Sequence, residues 1–269
     1  QESYVWCERD DDSDPVTGGE VIARLLESLE ALPPDQLPVT DQLAALLYRS
    51  GRFEQAERTV ALADSPLADW VRAKLALRNN QPEAAAEHFH QALRGFRGEA
   101  VWDAHHPVWA ARNPADRVAA EAGLLALTHN ELTRSLKLML EAGAVYWLDV
   151  AYLADHVLTL DELVEVTRTM HWSDADRTHV VYVEGQRLGR PSRQDRFETL
   201  VGRRLMRVGR YEDAIEIFPF DVQRRNARRY AALMREPSGE PALDTARRLF
   251  QTAVMTRRYG LNLLGYEAE

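Results

Sequence analysis

The chain has 269 residues, 45% of them hydrophobic and 28% charged, with a net charge of −9. That length buries a sizeable core without covalent staples, and the single cysteine, Cys7, excludes an intrachain disulfide and a multi-cysteine metal site. No run reaches the roughly 18 to 20 uninterrupted apolar residues of a membrane helix, because the most apolar stretch, 142–160, is broken by Asp149, Asp155 and His156.

Charge is divided unevenly. Residues 1–186 hold 16 Lys and Arg against 31 Asp and Glu, whereas residues 187–258 hold 17 Arg against 9 acids. Such a split suits an anionic partner or attraction between the two ends of the chain. Lysine occurs only at Lys74 and Lys137, which fits the coding bias of a GC-rich genome.

Residues 1–17 carry the acidic run Asp10, Asp11, Asp12 and Asp14 followed by Pro15, without helical periodicity, and are expected to form an extended arm. A first residue of Gln1 rather than Met tips the expected localisation toward a periplasmic or otherwise exported protein, with the cytoplasm still open. From residue 18 onward the chain reads as one helical domain, with a sub-boundary at 97–114. Val21, Ile22, Leu25, Leu26 and Leu29 mark an amphipathic helix that ends at Pro33-Pro34. Helices follow near 40–50, 53–64, 67–79 and 82–96, with Pro66 and Pro82 placed for first turns. After the interruption they resume near 115–127, 131–142, 145–157, 161–171 and 174–187. Thr128 with Glu131, Thr159 with Glu162, and Ser173 with Asp176 have the spacing of N-terminal capping pairs. The last group lies near 193–208, 211–218, 221–235 and 241–258.

The run His179 to Val183 is the best strand candidate, and for want of a partner it is assigned to a helix. Connections of two to six residues make successive helices antiparallel neighbours.

Two stretches resemble the tetratricopeptide-repeat family. One runs from Leu43 through Gly51-Arg52-Phe53-Glu54-Gln55-Ala56, and the other from Leu200 through Gly209-Arg210-Tyr211-Glu212-Asp213-Ala214. In that family a Gly ends the first helix with a left-handed backbone and a later Ala lets the two helix axes approach. Ala44, Gly51, Phe53, Ala56 and Ala63 fill those places in the first unit, and Gly202, Leu205, Gly209, Tyr211 and Ala214 in the last. Ala73, Asn80, Ala85, Phe89 and Ala92 resemble the motif more loosely, and 115–187 carries no such signature. The resemblance concentrates in 40–96 and 198–218. It implies an all-α fold of antiparallel helix pairs in an irregular right-handed α-solenoid, and a scaffold or adaptor that holds a protein or peptide on a concave helical surface.

Catalytic patterns are not evident. The chain has no Gly-x-Ser-x-Gly elbow, phosphate-cradling glycine loop or His-Glu-x-x-His pair. Asp10, Asp12 and Asp14 have calcium-loop spacing but lack the turn glycine, and the bidentate acid position falls on Val21. No metal, cofactor or nucleic acid is therefore expected, and the chain reads as a non-enzymatic module. The alternative is a helical accessory portion of a larger enzyme or of a secretion or envelope assembly.

The candidate partner-binding residues are the arginines of two helices, Arg203, Arg204 and Arg207, then Arg224, Arg225 and Arg228, together with Trp102, Trp109 and Tyr146. Spacings of three and four put these arginines on shared faces, where they either grip carboxylates or phosphates, or pair with nearby acids of the same chain. The aromatics either fill the core or line a groove.

Overall fold

The structure, a computed structural model, describes residues 24, 27–29, 40–98, 114–143, 146–172, 182–183, 186–187, 192–235 and 241–267. Residues group into two compact units, 1–100 and 101–269. Arg24 and Glu27 to Leu29 are helical. The acidic arm, the loop with Trp102 and Trp109, and the Ser173–Asp176 pair lie outside the described residues.

The first unit contains α1 (Thr40–Arg49), α2 (Phe53–Val60), α3 (Pro66–Arg78) and α4 (Pro82–Gly98). In the second unit follow α5 (Pro114–Thr128), α6 (Leu132–Glu141) and α7 (Trp147–Tyr152), the last running into a π-turn over Leu153–Val157. Then come α8 (Leu160–Thr169), β1 (Tyr182–Val183), β2 (Gln186–Arg187), α9 (Arg193–Arg207), α10 (Tyr211–Ile217), α11 (Asp221–Met234) and α12 (Ala242–Leu264).

Helices pack in pairs, α1 with α2, α3 with α4, α5 with α6 and α9 with α10. All four pairs close on one turn. A residue with positive φ, Gly51 (78°), Asn80 (54°), Asn130 (60°) or Gly209 (80°), ends the first helix. The next amide, of Arg52, Gln81, Glu131 or Arg210, donates back to the carbonyl of Leu47, Ala76, Ala126 or Leu205 at 2.8–3.0 Å. That bond satisfies a carbonyl the helix end leaves open, and Gly and Asn are the residues that accept the left-handed backbone at little cost. Five residues beyond each turn residue stands a small, wholly buried one, Ala56, Ala85, Ser135 or Ala214. Seven residues before the turn residue stands another, Ala44, Ala73, Gly123 or Gly202, also buried. Small residues at both places let the paired axes approach, and a larger buried side chain, Val60, Phe89, Met139 or Phe218, fills the space one turn on.

The first unit's core is built from Leu43, Leu47, Val60, Val71 and Leu75 around the small residues of α1 to α3. Ser65 caps α3 through Ala68 N–H at 3.1 Å and ties it to Asp41 at 2.7 Å. The second unit's core joins Leu136, Leu140, Trp147, Leu163, Phe197, Leu205, Phe218, Met255 and Leu263, so α12 is anchored at both its middle and its end.

Several expectations are corrected. The run near Val183 is not helical where it is described: Tyr182 and Val183 pair antiparallel with Arg187 and Gln186. β-branched and aromatic residues followed by Gly185 favour a reversal, and the strand partner lies only four residues on. Thr128 does not cap α6, since its hydroxyl donates to Leu125 O at 2.7 Å while Glu131 holds the cap position without a side-chain bond. Thr159 and Glu162 do form a capping box, and a second box, Ser192 with Asp195, opens α9. α12 runs to Leu264 rather than 258, because Tyr259, Leu263 and Leu264 still pack on the core.

Candidate functional site

α9 alternates apolar and cationic residues so that two faces emerge. Phe197, Leu200, Val201 and Leu205 enter the core, while Arg196, Arg203 and Arg207, seven and four residues apart, share a neighbouring face. The Ser192–Asp195 box, with reciprocal bonds of 3.0 Å, fixes where that helix starts. α7 supplies Trp147 to the same region.

The π-turn after α7 supplies an acid. Leu158 N–H donates to Leu153 O at 2.9 Å, a five-residue closure in which one extra residue turns Asp155 inward and leaves His156 outside. The Asp155 side chain is 1% exposed and pairs with Arg207 at 2.5 Å. Arg204 donates to Ala154 O in the same turn. Burial lowers the pKa of the Arg204 guanidinium; the negative charge of Asp155 opposes that shift, and the positive charge of Arg207 adds to it.

Into this cradle runs the segment after α12. Arg207 donates to Gly265 O at 2.8 Å and Leu264 O at 3.3 Å, and Glu267 N–H donates to Asp155 at 3.2 Å. The Glu267 carboxylate receives Arg203 at 2.8 Å and the Trp147 indole N–H at 3.1 Å, with Arg196 at 3.8 Å. Tyr266 lies over the Arg207 guanidinium at 3.9 Å and stacks on His156 at 6.3 Å. Arg196 in turn covers the Trp147 ring at 3.9 Å. Charge-assisted bonds, backbone recognition and a cation–π contact thus converge on one short strip of chain.

The two arginine groups therefore have different surroundings. Arg203, Arg204 and Arg207 all hold groups of their own chain. Arg224 donates to Phe218 O at 2.7 Å and to Asp221 at 2.8 Å, and that bond, with the charges of Arg224, Arg225 and Arg228, lowers the Asp221 pKa. Arg225 and Arg228 are exposed on α11. Tyr146 is half-buried at the start of α7, its N–H on Gly143 O at 3.3 Å.

Asp155, Arg196 and Glu267 belong to the cluster but were not among the sequence candidates. An acid inside an apolar stretch was the available signal for Asp155, shared with Asp149; a π-turn has no comparable signature. An open groove of about 360 Å³ lies between α8, α9 and α10, lined by Gln194, Asp195, Glu198, Glu216 and Arg224 among others. Several of its polar groups are engaged locally, Asp195 in the α9 cap and Gln194 on Glu198 at 2.6 Å. Among the described residues no three His, Cys, Asp or Glu side chains gather as a metal site requires, and no helix is long and apolar enough to cross a membrane.

No protein-family model, curated protein or solved structure matches the chain.

A second surface feature lies on α12. Met255, Tyr259 and Leu263 face the core, and on the opposite side Leu243, Phe250, Val254 and Leu261 are 63%, 71%, 49% and 84% exposed. Their spacing of seven, four and seven residues places them along one side of the helix. Arg247 and Arg257 fall on the same side, at the helical positions between these residues, and both are exposed.

Proposed function

We propose that the chain is a non-catalytic scaffold of the tetratricopeptide-repeat kind that holds a protein partner on its 101–269 unit. Support for the repeat reading comes from the four equivalent turns, each pairing small residues twelve apart: 44 with 56, 73 with 85, 123 with 135 and 202 with 214. The hairpins α1–α2 and α3–α4 follow one another directly, whereas α7, α8 and the β1–β2 pair intervene between α5–α6 and α9–α10.

The observation that carries the binding role is the outer side of α12. Four large apolar residues exposed along one side of a 23-residue helix favour a surface that a partner covers. Arg247 and Arg257 on that side, and exposed Arg225, Arg228 and Arg229 on α11, select a partner whose apolar contact residues are flanked by acids.

The test is affinity capture with the full chain as bait, combined with crosslinking and mass spectrometry in the native host. A partner crosslinked to α12 is expected, and Phe250→Asp with Leu261→Asp should lower its recovery at least tenfold while the thermal transition is kept. Equal recovery by the double variant would reject this surface.

A further inference from the structure

The strip Leu264–Glu267 is held as a peptide ligand is held, although it belongs to the same chain. Most of its bonds are not particular to its covalent connection. Two go to backbone carbonyls through Arg207, one comes from the backbone N–H of Glu267 to Asp155, and the side-chain contacts read an aromatic followed by a carboxylate. The receiving groups are braced independently of the strip. Asp155 is paired with Arg207, Arg204 secures the π-turn through Ala154 O, and Arg196 is stacked on Trp147. A buried acid whose second oxygen faces outward to a peptide N–H is a built acceptor for an extended chain, and Arg203, Arg196 and the indole N–H form a three-sided carboxylate pocket beside it.

We infer that this cradle is a peptide-binding site for short segments with an aromatic residue followed by an acid, and that Leu264–Glu267 is its resident, displaceable occupant. The inference rests on the scaffold reading and names the ligand class of a second site on the same unit. A partner segment of the Gly-Tyr-Glu kind makes the same set of bonds, so binding it exchanges one set of contacts for another. The resident strip has the advantage of tethering, which for a short connection corresponds to an effective concentration of order millimolar. Displacement therefore requires either a ligand with further contacts elsewhere, such as on α12, or a change that releases the strip.

The experiment uses the full chain and a labelled, end-capped Gly-Tyr-Glu peptide corresponding to 265–267, followed by fluorescence anisotropy. In the release variant Tyr266→Ser with Glu267→Arg the peptide is expected to bind with a Kd at least tenfold lower than to the parent chain. Adding Arg203→Ala to the release variant should remove that gain, as should a peptide with Gln in place of its Glu. Glu267→Gln alone, which keeps the shape of the strip, should give an intermediate gain and serves if the double change impairs folding. Peptide binding that is no tighter in either variant than in the parent overturns the inference. So does binding indifferent to Arg203. A failure here with the α12 double variant still losing its partner leaves the scaffold reading intact, and the reverse outcome rejects the α12 surface while keeping the cradle.

Discussion

The hairpins α5–α6 and α9–α10 close on the same turn from different residues. In α9–α10 the turn residue is Gly209, the facing pair is Gly202 and Ala214, and the filling side chain is Phe218; in α5–α6 the corresponding residues are Asn130, Gly123, Ser135 and Met139. Only the first set displays the family-like signature in sequence. What the two share is physical: a residue that tolerates positive φ, two small side chains twelve apart, and a large apolar one. The turn is thus specified by volume and backbone tolerance, and identity can drift within those limits.

The sharpest way to break the equivalence is to add one methyl group to each facing glycine. A Cβ on Gly202 would stand 2.7 Å from two ring carbons of Phe218, which is wholly buried and rigid. Gly202→Ala is expected to cost about 1–3 kcal/mol, even after the helix-propensity gain, because the ring has nowhere to go. A Cβ on Gly123 meets the Met139 Cγ at 3.1 Å, the middle of a flexible chain. There the propensity gain of about 1 kcal/mol offsets the adjustment, and Gly123→Ala should stay within about 1 kcal/mol of the parent. Urea denaturation midpoints separate the two outcomes, and equal losses at both sites would show that the filling side chain does not set the tolerance.

A change of intermediate size concerns the turn itself. Asn130, like Gly209, carries positive φ, and an alanine there lacks the local hydrogen bonding that makes Asn tolerant. Asn130→Ala should destabilise by about 1–2 kcal/mol, and Gly209→Ala by a similar amount, whereas the exposed neighbour His129→Ala should have no resolved effect. A loss at Gly209 alone would mean that the two turns are not equivalent.

Much of the fold was legible in the sequence because it is local. Apolar periodicity, Pro66 and Pro82 at helix starts, and the Thr159–Glu162 box all act within a few residues. The α5–α6 turn escaped because Asn and Ser replaced the expected Gly and Ala. The cradle was only half legible for a different reason. Spacing put Arg203 and Arg207 on one face of α9 and Arg224 and Arg228 on one face of α11, but the groups that meet them decide their role. Asp155 lies 52 residues from Arg207, and Glu267 lies 64 from Arg203. No pairwise signal in a single sequence connects them. On α11 Arg225 and Arg228 are exposed.

A modest effect of the opposite sign comes from the one facing residue that is polar. Ala56, Ala85 and Ala214 are matched in α5–α6 by Ser135, whose hydroxyl is buried and without a hydrogen-bond partner among the described residues. The backbone there is already satisfied, since Ser135 N–H donates to Glu131 O at 2.9 Å. Burying a hydroxyl without a partner costs about 1–3 kcal/mol, and alanine removes that cost with almost no change in volume and a better helix propensity. Against this stands only the small cavity left by one oxygen atom. The close approach of the paired helices is kept, because alanine is no larger than serine and Gly123 lies against the Ser135 backbone, where an added Cβ would stand 3.4 Å from the carbonyl oxygen. The balance predicts that Ser135→Ala stabilises the chain by about 1 kcal/mol, read as a higher urea midpoint at unchanged slope. Ala214→Ser, the reciprocal change, should cost a similar amount in α9–α10. If Ser135→Ala instead destabilises, the hydroxyl has a role that the other three hairpins do not need, and the repeat equivalence fails at its third member.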